Sequence, residues 1–432
     1  MGNAGALILY RNFEQGHLFS ELTWILENYR NELFDARDVR ARYYECAHEL
    51  VEFSASHGFE GNLWHCFLTF LIVNHENAYS LACEKRGAAD GSIRELALHD
   101  FRIFKKLFDF HLRDMAAELG LEAGEIEPLL AYAGVQDAGI VFGKRIRDCI
   151  CELAVTLGSA ANPEAFRDAV ADFYQKYGVG QLGLHKAFRI AHGEDGVKLC
   201  PITKIAHVQL DDLVGYESAK KKLIENTEAF VRGKKANNCL LFGDSGTGKS
   251  TSIKAIVNQY YDEGLRMIEV YKHQFQDLNA VISLVKNRNY RFILYMDDLS
   301  FEEFETDYKY LKAVIEGGLE KKPENILIYA TSNRRHLIRE NYSDKEEVRQ
   351  DMHTSDTVQE KLSLAYRFGL TIYFGAPDPK EFGHIVTELA KRQHVAMDRE
   401  QLLEEASRWE LRHGGLSGRT AQQFIQYCLL RE

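Results

Sequence analysis

The sequence predicts an α/β protein: a parallel-sheet core with a C-terminal helical lid, preceded by an all-helical N-terminal domain. Three observations carry this. Residues 1 to about 200 repeat apolar positions at helical spacing and hold only two prolines, Pro128 and Pro163. From Asp211 onward, short apolar runs alternate with helical segments, the pattern of a parallel sheet covered on both faces. After Pro377 and Pro379, three helical stretches remain, too few for a core of their own, so they read as a lid resting on the sheet. The expected domains are therefore 1–200, 201–376 and 377–432, with the first boundary in the polar turn His192 to Val197, before Cys200-Pro201.

In the first domain, Phe101, Phe104, Leu107 and Phe108 recur at spacings of three and four with Lys105, Lys106 and Asp109 among them, which is an amphipathic helix. Similar segments cover Leu18 to Tyr29, Val39 to Phe53, Leu63 to Glu84, Gly143 to Leu157 and Pro163 to Tyr177. Trp24, Trp64 and His65 read as core rather than ligand site. The apolar run Leu63 to Val73 is too short to cross a bilayer, and nothing in Met1 to Tyr10 reads as a signal peptide. A cytoplasmic protein with no membrane association is expected. The eight cysteines lack paired metal-site spacing and read as free thiols. A formal net charge of −11 argues against a surface coated for nonspecific nucleic-acid binding.

In the core, a helix is expected at Ser218 to Arg232, strands at Cys239 to Phe242, Arg266 to Val270, Arg291 to Asp298, Ile326 to Thr331 and Leu370 to Phe374, and helices at Thr251 to Tyr260, Asp277 to Lys286 and Asp307 to Glu316. The lid helices are Lys380 to Arg392, Arg399 to Trp409 and Ser417 to Leu430.

Between the first core strand and its helix lies Gly243-Asp244-Ser245-Gly246-Thr247-Gly248-Lys249-Ser250, followed by Thr251. Strand, glycine-rich loop, Lys-Ser and helix in this order form a phosphate-binding loop. Successive backbone N–H groups must point at the anion, and side chains at Gly243, Gly246 and Gly248 would obstruct it. Lys249 reaches the β and γ phosphates of a nucleotide, Ser250 offers its hydroxyl to Mg²⁺, and the helix dipole adds to the same end. Asp297 ends an apolar strand, the place from which a carboxylate holds Mg²⁺ in phosphate-loop proteins, and Asp298 beside it can orient the attacking water. Asn333 arrives from the neighbouring strand, within reach of the γ-phosphate or the water. No Asn-Lys-x-Asp guanine motif occurs, which favours ATP over GTP.

Gly-Asp-Ser-Gly-Thr-Gly-Lys-Ser, Met-Asp-Asp-Leu-Ser-Phe, Thr-Ser-Asn-Arg-Arg-His-Leu, Lys-Leu-Ser-Leu-Ala-Tyr-Arg-Phe-Gly-Leu and Gly-Leu-Ser-Gly-Arg-Thr-Ala together resemble the AAA+ ATPases, and more narrowly a bacterial AAA+ group of unassigned cellular role. The resemblance implies that Gly215 and Tyr216 lie beside the adenine, Asn333 is the first sensor, Arg367 the arginine finger and Arg419 the second sensor. It also implies a homo-oligomer in which Arg367 completes a neighbour's site. Most of the superfamily carries Asp-Glu where this chain has Asp297-Asp298. Withdrawing the carboxylate by a methylene points to slow hydrolysis, since a misplacement near 1 Å can cost on the order of a hundredfold.

The expected function is ATP hydrolysis with Mg²⁺, driving conformational change in an unidentified protein or nucleic-acid partner. The alternative is an ATP-gated binding module with little turnover. A helper of DNA transactions is a further option, resting on Lys220, Lys221, Lys222, Lys234 and Lys235, although such a cluster is more often a solvated helix face. The connection Tyr271 to Gln276 is short and lacks the glycine of a threading pore loop.

Overall fold

The computed structural model describes residues 4–134, 141–193, 196–203, 205–301, 307–316, 323–333, 337 and 364–431. They form two compact units, Met1–His185 and Lys186–Glu432.

In the first unit the described helices are α1 (Gly16–Asn28), α2 (Ala36–His57), α3 (Leu63–Asn74), α4 (Ala78–Arg86), α5 (Ser92–Phe108), α6 (Leu112–Glu118), α7 (Ala123–Leu130), α8 (Lys144–Gly158), α9 (Pro163–Tyr177) and α10 (Gly180–Leu184). Their ends follow local chemistry. Asp35 caps α2 through the Arg37 amide, and Gly58 closes it at φ 75°. Asn162 caps α9, with Pro163 in its first turn. Helix α3 is apolar on all sides, with ten of its twelve residues buried, so the run Leu63 to Val73 is the central helix of this core. The single helix read over Leu63 to Glu84 is divided in the structure: Asn77 accepts from the amides of Tyr79 and Ser80 and starts α4 afresh.

Trp64 and His65 serve the core as expected. The indole N–H of Trp64 donates to the Leu107 carbonyl at 2.9 Å, and His65 Nε2 lies 2.9 Å from the Phe108 carbonyl.

The second unit is a seven-stranded sheet in the order β2-β1-β4-β5-β6-β3-β7. The strands are β1 (Ala187–Gly193), β2 (Gly196–Pro201), β3 (Cys239–Gly243), β4 (Leu265–Glu269), β5 (Arg291–Met296), β6 (Ile326–Ser332) and β7 (Leu370–Phe374). All neighbours are parallel except the hairpin β1–β2. That hairpin corrects the sequence reading of residues 187–201 as the end of a helical domain. Phe188 and Ile190 are buried while Arg189 between them is exposed, which is strand alternation, and β1 pairs with β4.

Helices α11 (Glu217–Val231), α12 (Lys249–Tyr260), α13 (Leu278–Val285) and α14 (Tyr308–Glu316) connect the strands. Alternate residues of the core strands, among them Leu241, Met267, Ile293, Tyr295, Tyr329 and Ile372, share one cluster with Leu223 and Phe230 of α11 and Ile253, Ile256 and Val257 of α12. The lid is three helices, Pro379–Arg392, Arg399–Glu410 and Gly418–Leu429. Its core gathers Phe382, Ile385, Val386, Leu402, Phe424 and Ile425, together with Val214.

Candidate functional site

Strand β3 runs parallel between β6 and β7, so the loop leaving its C-terminal end, Gly243 to Gly248, opens beside the ends of both. The glycines are demanded by neighbours as much as by any ligand. Gly243 has φ 139°, and a Cβ there would lie 2.0 Å from the Phe374 carbonyl oxygen, because β7 closes against the start of the loop. At Gly246, φ 75°, a Cβ would crowd Ser417 and Arg419 of the lid at 3.0 Å. The lid touches the loop directly, since the Arg419 amide donates to the Gly246 carbonyl at 3.1 Å. Asp244 fastens the other side. Its amide donates to Phe374 O at 3.0 Å, and its carboxylate accepts from the Ala376 amide at 2.7 Å.

Lys249 begins α12 and is buried, with its ammonium donating to the carbonyls of Gly243 (2.9 Å) and Asp244 (2.6 Å) and to Asn333 Oδ1 (3.0 Å). Burial holds its pKa below the usual lysine range, with Asp244, Asp298 and Asp297 opposing that shift. Ser250 Oγ donates to Asp297 Oδ1 at 2.7 Å, and Thr331 Oγ1 donates to the same oxygen at 2.6 Å. Partial enclosure alone would raise the Asp297 pKa; the hydroxyl donors outweigh it and hold the carboxyl below its ordinary value.

Asp298 sits at φ 49°, a left-handed conformation rarely taken by non-glycine residues but accessible to Asp. Two bonds to Thr331 hold it there: the Asp298 amide donates to Thr331 Oγ1 at 2.9 Å, and the Leu299 amide to Thr331 O at 2.7 Å. Asn333 Nδ2 donates to Asp298 Oδ1 at 2.9 Å. Asn333 therefore contacts both the lysine and the second carboxylate.

These groups line one cavity of about 810 Å³. Its walls include Ser245 to Thr251, Asp297, Asp298, Thr331 and Asn333 from the sheet side, and Ile385, Leu389, Arg392, Arg419 and Gln422 from the lid. Of the predicted residues, Gly243 and Asp244 lie outside this lining, at the start of the loop against β7, and so do Gly215 and Tyr216; Asp212, Leu213 and Val214 stand there instead of the last two. The Tyr216 ring stacks on Phe374 at 5.5 Å, and burial, with the charges of Glu381 and Asp244, pushes its hydroxyl up to about 12. Arg367 is also outside the cavity, on the turn before β7.

Sequence reasoning passed over Thr331, which holds the Asp297 carboxylate and the Asp298 amide, and Arg392, which lines the cavity and donates to the Asp211 carbonyl at 2.6 Å. Thr331 had a signal: it precedes Asn333 by two on β6, and so shares its face. Arg392 had none, because the end of a lid helix carries no mark of what lies opposite it.

Five parallel strands in the order β4-β5-β6-β3-β7, a phosphate loop after the fourth in that row, two carboxylates at the end of β5 and a helical lid touching the loop define an AAA+ P-loop ATPase fold. Residues 183–432 match the family described as a protein of unknown function, DUF815, and the chain belongs to that family. It is also similar to the replication factor C large subunits of Staphylothermus marinus (32% identity over 84 residues, 18% of this chain and 19% of that subunit) and Methanococcus vannielii (39% over 59 residues, 14% and 12%). The chain thus covers less than a fifth of either subunit's length. Among solved structures, the Thermotoga maritima RuvB Holliday junction branch migration motor matches at TM-score 0.32 and 16% identity, over 51% of this chain and 71% of that one. The FIGL-1 AAA domain in complex with ADP matches at TM-score 0.35 and 18% identity, over 52% and 72%. Among the described residues no helix is long and apolar enough to cross a membrane.

Proposed function

We propose that this chain binds ATP with Mg²⁺ and hydrolyses it, as a homo-oligomer that transmits its nucleotide state to a macromolecular partner. The observation that supports this most is convergence: the Lys249 ammonium, the Ser250 and Thr331 hydroxyls, the carboxylates of Asp297 and Asp298 and the Asn333 carboxamide all line one cavity between loop and lid.

The donor set fits a hard divalent cation. Ser250 and Asp297 offer oxygen ligands 2.7 Å apart, and among the described residues no group of three or more His, Cys, Asp or Glu gathers to form an all-protein cage. Mg²⁺ suits such a sparse site, taking its other ligands from phosphate and water. When bound, it neutralises charge developing on the phosphate oxygens.

Lys249 does the same from the loop side, held there by Asn333 and two carbonyls. Asp298 accepts a hydrogen bond from the attacking water. The water oxygen bonds to the γ-phosphorus while the bond to the β–γ bridging oxygen breaks; that oxygen leaves with the electron pair on ADP, and the water's proton ends on the released phosphate. Asn333 positions Asp298 for this step. Gly215 and Tyr216 neighbour the adenine through the backbone leading from Leu213 and Val214, and Arg419 meets the γ-phosphate from the lid. Arg367 acts on the adjacent subunit's site.

The test is complementation. Arg367→Ala and Lys249→Ala should each be inactive in ATP hydrolysis, an arginine in trans being worth on the order of 10³ to 10⁵ in rate. Mixed, they should recover part of the activity, because some interfaces pair an intact Lys249 site with an intact Arg367 donor. No recovery in mixed oligomers confirmed by native mass spectrometry would return Arg367 to a structural role.

A second reading, an ATP-gated switch with little turnover, is favoured by the short Asp298 side chain, engaged by Asn333. For the DNA-helper option, Lys220 is buried and donates to the Leu213 carbonyl and Glu217, which leaves Lys221, Lys222, Lys234 and Lys235 as the exposed members of the basic cluster.

A further inference from the structure

Tyr295 lies two residues before Asp297 on β5, and strand alternation puts both on the face covered by α12. Its ring packs in the cluster that holds Ile253, Ile256 and Val257, and the residue is only 1% exposed. At the far end of the ring, the hydroxyl stands beside Ser250, Asp297 and Thr331. It nevertheless makes no hydrogen bond in proper geometry to any described residue. An O–H buried without a partner is costly, and phenylalanine would fill the same space without that cost. The donor lies close enough to Asp297 to help hold its carboxyl low, yet out of line for a hydrogen bond, against an Oδ1 already shared by Ser250 and Thr331.

We propose that Tyr295 is a positioning residue of the metal and nucleotide site, its hydroxyl being the donor that takes hold of Asp297 when the site is loaded. The inference rests on the Mg²⁺ and ATP reading above. Loading turns a lone pair of Ser250 Oγ and one of Asp297 toward the cation, which reorients the carboxylate relative to its present hydroxyl donors. Asp297 then needs another donor to keep its carboxylate aimed. Thr331 is committed to Asp297 and to the Asp298 amide, whereas the Tyr295 O–H is uncommitted, near and preoriented by a buried ring. Outer partners of this kind commonly tune metal affinity by ten- to a hundredfold.

The experiment uses the full chain and Tyr295→Phe, measuring ATP affinity by calorimetry in Mg²⁺ and in excess EDTA, and the thermal midpoint without nucleotide. The expected result is a MgATP affinity lowered about tenfold, a Mg²⁺ titration midpoint shifted upward, ATP affinity in EDTA unchanged and a metal-free thermal midpoint equal or higher. Ile293→Val, on the same strand face but farther from the strand end, is the packing control and should lower the midpoint without moving the Mg²⁺ dependence. Equal losses with and without Mg²⁺, or a lower midpoint with the Mg²⁺ titration unmoved, would make Tyr295 a packing residue and overturn the proposal. Unchanged values throughout would overturn it too. If the unaltered protein binds ATP no better with Mg²⁺ than in EDTA, it is the site reading itself that fails, a result distinguishable from the others because it needs no variant.

Discussion

Asp100 in the helical unit and Asp297 in the sheet unit each accept several hydrogen bonds, and the difference lies in the donors. Asp100 is fully buried and takes the backbone amides of Ile8, Leu9 and Tyr10 at 2.7–3.0 Å, pinning the N-terminal segment to α5. Asp297 faces the cavity and takes hydroxyls, from Ser250 and Thr331. An amide is fixed by the chain, so its bond to a buried carboxylate is all or nothing. A hydroxyl turns about its C–O bond, so it can release one partner for another at little cost. The same residue type therefore serves as a fastening in one unit and, in the proposed Mg²⁺ site, as an exchangeable ligand in the other.

The largest expected effect sharpens the contrast one residue further on. Asp298→Asn should retain ATP binding while slowing hydrolysis by about 10² to 10⁴, the range of positioned acid–base groups. Asp298→Glu, which advances the carboxylate by a methylene, should raise the rate. A parental rate in Asp298→Asn would show that another group orients the water; Glu302 and Glu303, outside the described residues, would be next.

A direct swap of roles comes second. Asp100→Ala strands buried amides and should cost on the order of 3 kcal/mol in denaturant unfolding of the helical unit. Asp297→Ala should leave stability within about 1 kcal/mol and remove the Mg²⁺ dependence of nucleotide binding. Equal destabilisation by the two would erase the distinction drawn here.

The smallest effects concern Lys249. Its alanine variant should weaken MgATP binding about a hundredfold in calorimetry, as expected for losing a charged hydrogen bond of ~2–3 kcal/mol. The pH dependence has a definite sign. A lysine whose folded pKa is depressed keeps its charge below that pKa and loses it as pH rises through it, so affinity should decline at a lower pH than an ordinary lysine would give. A flat profile up to the ordinary lysine range would mean that binding does not draw on this ammonium.

Much of the site was legible because its requirements are local. The loop from Gly243 to Ser250 is a contiguous run, and the strand ending in Asp297 and Asp298 shows its burial in its own composition. Legibility failed where the partner lies far along the chain. The joint between Asp297 and Thr331 spans 34 residues, and the one between the Arg392 guanidinium and Asp211 spans 181. The hairpin at 187–201 was missed for a related reason: its alternation is short, and pairing with β4 is what commits it to the sheet.

By itself the sequence determined the succession of described helices and strands from α11 onward, the phosphate loop and the carboxylate pair, since periodicity and glycine geometry act over neighbouring residues. Only the tertiary structure decided which hydroxyls reach Asp297, that Asn333 joins Lys249 to Asp298, and that a lid amide closes on Gly246. Those contacts depend on strand order and on the packing of the lid. Both are set by the burial of whole faces, and no single residue's type records which face it will meet.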